Sequence, residues 1–179
     1  MIFYKTKIKG LYIVKPELKF DKRGYFTRIF GKKELTRVGF NFNIVHINRS
    51  LNKKKGIVRG LHFQKSPKAE DKIVQCLKGA IYDVAVDLRK DSKTFGQWVS
   101  QILSEENKKM FLIPKGFAHG FQSLKDNSEV LYFSSEFYSL EHQSGVRWND
   151  PFLKIKWPIK NPFLLARDKN WPLIRNKNA

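Results

Sequence analysis

The sequence has one cysteine, two methionines, and 16 acidic residues against 35 lysines and arginines. The lone Cys76 excludes an intramolecular disulfide, so stability must come from the core, and the cytoplasm is the expected compartment. No apolar run approaches the ~20 residues that a membrane helix needs. The opening MIFYKTKIKG has early lysines but no continuous apolar stretch and no small-residue cleavage site, so no signal peptide is expected. There is no GxGxxG and no Walker loop, which removes the usual fingerprints of a bound nucleotide cofactor. No repeat or low-complexity tract breaks the chain. Its 179 residues fit one domain, with only the last ten or so expected to be loose.

Apolar residues make up 41% and aromatics 14%, which argues against disorder. The shortage of acids leaves a formal charge of +19. Such a charge favours an anionic partner: nucleic acid, an acidic surface or a phosphorylated small molecule. The plainer alternative is a lysine-rich solvated surface. The cations are scattered, and the densest run, Lys53-Lys54-Lys55, is short.

Short strand-like segments recur: 11–14, 25–30, 42–47, 57–63, 72–77, 80–88, 97–103, 109–114 and 129–135. Turn residues stand between them, as at Asp21 to Gly24, Lys78-Gly79 and Pro114 to Gly116. This spacing predicts an all-β sandwich or barrel. A helix is expected near Lys32 to Arg37, and a second short one around Ser104 to Lys108. Alternation sorts the faces. Tyr82, Val84, Val86 and Leu88 oppose Ile81, Asp83, Ala85 and Asp87; Leu131 and Phe133 oppose Val130, Tyr132 and Ser134. Strict alternation sends Arg59 away from His62, unless a bulge at Gly60 reunites them.

The chain has four histidines. His62 ends a strand-like run. His119 closes Pro114-x-Gly116-x-x-His119, whose turn would return an imidazole to a sheet face. A lone histidine in such a place is usually a structural hydrogen-bonder; two in an all-β chain suggest a shared pocket. The PxGxxH pattern resembles the second motif of the cupins, jelly-roll barrels that often hold a metal through an H-x-H pair. Here that pair reads His62-Phe63-Gln64. A site of two histidines and a carboxylate needs three ligands on one face. Two histidines and no convincing carboxylate can be named, so no metal is expected.

A longer resemblance covers roughly Ile8 to Asp168. In order come DKRGYF, GIVRGLHFQ, KIVQCLKGAIYDVAVDLRKDSKTFGQW, LIPKGFAHGFQSL and EVLYFSSEFYSLEHQSGVRWNDPFLKIKWP. Together they resemble the dTDP-4-dehydrorhamnose 3,5-epimerase family. The resemblance implies an all-β, cupin-type jelly-roll barrel with a few short helices and no cofactor. It implies a homodimer that exchanges N-terminal strands, so that each site borrows Arg23 and Phe26 from its partner. The pathway implied is deoxysugar synthesis for a surface polysaccharide. His62 is the implied base, Asp168 its orienting carboxylate, Tyr132 the acid on the opposite face and Lys72 the enolate's cation. Arg59 and His119 join Lys72 around a sugar diphosphate, with Asn48 and Tyr138 as further substrate contacts.

The chemistry suits these residue types. Hydrogens on the two carbons flanking a 4-keto group are acidic, because their removal gives an enolate. Imidazole can take a proton near neutral pH. A phenol keeps its proton at that pH yet can release it to a carbanion. A lysine offsets the enolate charge, and guanidinium forks bind phosphate.

Four positions depart from the family's usual residues: Arg28 and Gln143 stand for Glu, His46 for Gln, and Arg167 for Lys. The first three lie where the resemblance places the nucleobase and its ribose. A GDP- or CDP-linked 4-keto sugar, a heptose, or inversion at C3 alone therefore stay open. A non-catalytic nucleic-acid binder is the alternative of another class. It lacks any RNP-like motif, zinc knuckle or helix-turn-helix pattern, so neither nucleic acid nor membrane is an expected partner.

Overall fold

The computed structural model describes residues 1–41 and 43–174. Alternating apolar positions build two antiparallel sheets that face each other. One is six-stranded: β1 (Ile2–Lys5), β2 (Tyr12–Lys15), β10 (Met110–Ile113), β7 (Lys72–Lys78), β12 (Ser128–Ser134) and β5 (His46–Asn52), in that spatial order. The other is five-stranded, in the order β13 (Gln143–Gly145), β6 (Val58–Gln64), β11 (Phe117–Ser123), β8 (Ala80–Asp87) and β9 (Trp98–Ser104). An N-terminal hairpin, β3 (Lys19–Asp21) and β4 (Gly24–Phe26), stands apart from both. This is the jelly-roll arrangement of the cupins.

Period-two alternation divides the apolar residues into three layers. Val74, Cys76 and Val130 of the first sheet meet Ile81, Ala85, Phe117 and Phe121 of the second in the central core. On the outer face of the first sheet, Ile73, Met110, Leu112 and Phe133 pack with Leu35 of α1 (Lys32–Arg37) and with Phe40, which follows it. On the outer face of the second, Leu61, Val84, Val86 and Ala118 are covered by Val146 and Leu153 of the C-terminal segment. Each fully buried aliphatic or aromatic side chain contributes roughly 1.5–3 kcal/mol. The faces expected for 80–88 and 129–135 are the faces these layers use.

Several local expectations change. The strand expected over 25–30 ends at Phe26, because β3 is only three residues long and offers no further partner. Ile29 and Phe30 join the layer under α1 instead. The helix expected at 104–108 is one hydrogen-bonded turn. Ser104 Oγ accepts from Asn107 N as a capping serine would, but Lys108 adopts φ 52° and ends it. Of 42–47, Phe42 lies outside the described residues and the strand begins at His46. The strand β11 replaces the simple turn expected around His119, where Ala118 and Gly120 carry little strand preference. In the tail expected to be loose, Arg147 Nε donates to Trp171 O and Ile174 N to Asp150 Oδ2; 175–179 lie outside the described residues. Among the described residues no helix is long and apolar enough to cross a membrane.

Gly60 decides where β6 points its side chains. The β6–β11 register pairs His62 with His119 but Arg59 with Phe121, a shift of one residue. Gly60 has φ 134°, and a Cβ there would lie 2.5 Å from Gly120 Cα. Only glycine tolerates both conditions. Gly60→Ala is expected to cost roughly 3–5 kcal/mol, read as a lower denaturation midpoint; an unchanged midpoint would mean that the two strands can separate at no cost.

Candidate active site

The shift at Gly60 brings Arg59 and His62 to the same inner face, against strict alternation. They look into the space between the sheets, at the end where the central core gives way to polar side chains. β12 makes the transition visible, since Val130 lies in the core and Tyr132, the next inward residue, lines the opening. β7 repeats it with Val74 and Lys72. The result is a cavity of about 480 Å³, within the ~300–1,000 Å³ range of small-molecule sites.

His62, Tyr132 and Lys72 all line this cavity, and they line its inner neighbour with Arg59 and His119. His62 and His119 project from the five-stranded sheet, Tyr132 and Lys72 from the six-stranded one. Base and acid candidates therefore stand on opposite walls. Arg167, from α2 (Ala166–Lys169), borders both cavities. His46 and Asn48 of β5, Tyr138 and Gln143 form the outer part of the larger one. Tyr138 OH donates to Gln143 Oε1 at 3.0 Å.

His62 and His119 each have a carboxylate behind them. Asp168, buried on α2, accepts from His62 Nε2 at 2.7 Å, although 106 residues separate them. That bond fixes the neutral ring as the Nε2–H tautomer and leaves Nδ1 with a free lone pair. Gly60 N donates to the second oxygen of Asp168 at 3.4 Å. The Trp171 ring meets the His62 ring edge-on, 6.0 Å between centroids. Burial pushes His62 below its ordinary pKa, and the charges of Arg167 and Lys72 add to this; Asp168 opposes but does not outweigh them. Burial pushes the Asp168 carboxyl up, but the His62 bond and its other partners hold it below the ordinary range. The pair at neutral pH is thus an anionic carboxylate and a neutral base. Burial, then the charge of Glu70, raises the Tyr132 phenol above its usual value, with Arg59 opposing.

His119 Nε2 donates to Asp83 Oδ1 at 2.7 Å, and Asp83 is fully buried with Oδ2 unpartnered. Arg59 is steered by Nε donating to Asn52 Oδ1 at 2.8 Å. Lys72 Nζ is 2.9 Å from Glu70 Oε1.

Arg23, Phe26 and Arg28 do not join this cavity within the protomer. Arg23 is exposed and pairs with Asp21, Phe26 is exposed, and Arg28 pairs with Glu34 beside a separate hollow near the N-terminus. The sequence reading also missed the cavity residues Ser50, Glu70 and Glu136, and the buried Asp83 behind His119. Asp83 left a usable signal, an acid between Ile81 and Ala85 on the inner face of β8. Glu70 left none, since AEDK reads as an ordinary charged loop. Among the described residues no three His, Cys, Asp or Glu side chains gather as a metal site would require.

The family model for dTDP-4-dehydrorhamnose 3,5-epimerase matches residues 5–176. The chain belongs to that family. It is 42% identical over 176 residues to the dTDP-4-dehydrorhamnose 3,5-epimerase of Methanothermobacter thermautotrophicus, covering 97% of this chain and 94% of that one. The Bacillus anthracis dTDP-4-dehydrorhamnose 3,5-epimerase, solved with TDP and PPi bound, superposes with a TM-score of 0.94 at 46% identity, covering 97% of this chain and 99% of that one. A Legionella pneumophila dTDP-6-deoxy-D-glucose-3,5-epimerase, solved with dTDP-4-keto-L-rhamnose, gives 0.90 at 40% identity, covering 96% and 92%. Like these epimerases, the chain is an isomerase built on a jelly-roll barrel.

Proposed function

We propose that this protein inverts C3 and C5 of dTDP-4-dehydro-6-deoxy-D-glucose, giving dTDP-4-dehydro-L-rhamnose. The observation that carries this reading is the placement of a carboxylate-backed imidazole and a phenol on opposite walls of one cavity. His62 takes the proton from a ring carbon, the enolate charge collects on the C4 oxygen near Lys72, and Tyr132 returns a proton to the other face. Each carbon is inverted because the proton leaves on one side and arrives on the other. Arg59, with His119 beside it, faces the diphosphate. The outer rim of His46, Asn48, Tyr138, Gln143 and Arg167 receives the nucleoside.

The site is completed by a second copy. Phe20, Phe26 and Ile47 are exposed, and β5 is a sheet edge whose outward residues include Ile47 and Leu51. An apolar edge of this kind calls for a partner. In the proposed homodimer the β3–β4 hairpin crosses over, so that Arg23, Phe26 and Arg28 reach the nucleotide in the partner's cavity.

Proton NMR of the dTDP-linked 4-keto sugar in deuterated water tests the reaction. Label entering at both C3 and C5 is expected; label at C3 alone would make this a single-carbon epimerase. Parallel titration with dTDP, GDP and CDP tests the handle, and preference for GDP or CDP would overturn the dTDP assignment. Arg59→Ala is expected to weaken dTDP binding by roughly 1.5–3 kcal/mol, a charged hydrogen bond's worth, as read by calorimetry; unchanged affinity would take Arg59 off the diphosphate.

A further inference from the structure

Two carboxylates line a cavity read as an anion's: Glu136 pairs with Lys68, whereas Glu70 pairs with Lys72, the proposed enolate cation. The Glu70 side chain is only 12% exposed and lines the main cavity together with Lys72 and Tyr132. A carboxylate there repels both a diphosphate and a developing enolate, so substrate binding alone would favour its absence. The backbone next to it is nevertheless held firmly. The next residue, Asp71, donates its N–H to Ser135 Oγ at 2.8 Å and accepts from Ser135 N at its carbonyl oxygen and from Lys115 N at Oδ1. The carboxylate that this anchor presents meets Lys72 Nζ at 2.9 Å.

A lysine side chain has four rotatable bonds and carries about 2 kcal/mol of rotamer entropy. Left alone in a cavity, its ammonium would follow whichever acceptor came near. We infer that Glu70 is a positioning residue: it pins the Lys72 ammonium at one point on the six-stranded wall, so that the remaining N–H bonds aim at the place where the enolate oxygen forms. This rests on the epimerase reading above. The arrangement trades ground-state affinity for transition-state alignment, since the charge that weakens anion binding also fixes the group that stabilises the enolate.

Glu70→Gln tests this, being of the same shape without the charge. The thermal midpoint should stay within a few degrees. The dTDP affinity is expected to rise severalfold, because a repelling charge is gone, while kcat for the 4-keto substrate falls by about 10- to 100-fold from misalignment. In a Lys72→Ala background the same change is expected to leave kcat within about twofold, because Glu70 acts through Lys72. An unchanged kcat in the single variant, or an equal loss in both backgrounds, would overturn the inference. The Lys72 ammonium signal in proton–nitrogen NMR reads the pair without turnover: it should be ordered in the wild-type protein and averaged in Glu70→Gln. A wild-type protein that takes up no label at C3 or C5 would overturn the epimerase reading, and the ammonium signal would then decide whether Glu70 fixes Lys72.

Discussion

Replacing His62 with alanine is expected to stop deuterium uptake at both C3 and C5 of the 4-keto sugar, a loss of ~10²–10⁴-fold or more. The expectation comes from geometry. The Asp168 carboxylate accepts a hydrogen bond from Nε2–H at 2.7 Å and leaves Nδ1 as the basic nitrogen. His119 is not expected to substitute, because it is held by its own buried carboxylate and lines the inner cavity beside Arg59. Burial keeps the His62 ring neutral to lower pH than an ordinary imidazole. The acid limb of the kcat/KM profile is therefore expected below the ordinary value of 6.5, falling away as the ring protonates. Exchange in the alanine variant within tenfold of wild type would place the base on another residue.

Tyr132→Phe is expected to separate two events that the wild-type protein couples. The substitution removes one oxygen and keeps the ring that packs against the central core. His62, on the other wall, still removes a ring proton and can return one to the same face. Label should then enter with little net inversion, and the ratio of exchange to inversion should rise on the order of 10²-fold. The phenol is the right donor because burial and Glu70 hold its pKa above the usual value, so it is protonated across the physiological range. NMR of the product mixture reads both rates at once. Equal loss of exchange and inversion would remove Tyr132 from the donor role.

Period-two alternation made much of the architecture legible in the sequence. Val130 and Tyr132 share a face in the residue order and share the inner face in the fold. Two features were not legible. The position of Arg59 turns on a register shift at Gly60, which depends on Gly120 passing beneath it from a strand about sixty residues away. The Glu70–Lys72 pair needs Asp71 tied to Ser135 and Lys115, contacts that no local pattern encodes. The helix expected after Ser104 failed for the opposite reason: the capping chemistry was present, but no apolar stripe followed to hold a helix against the sheet.

A ribosome makes His62 and delivers its carboxylate 106 residues later. By then every strand of both sheets has been synthesised. A product cut short before α2 would possess cavity walls, an ammonium and a phenol, yet its imidazole would have nothing to fix its tautomer. The proposed base is therefore completed only after the strands that wall the cavity have been made.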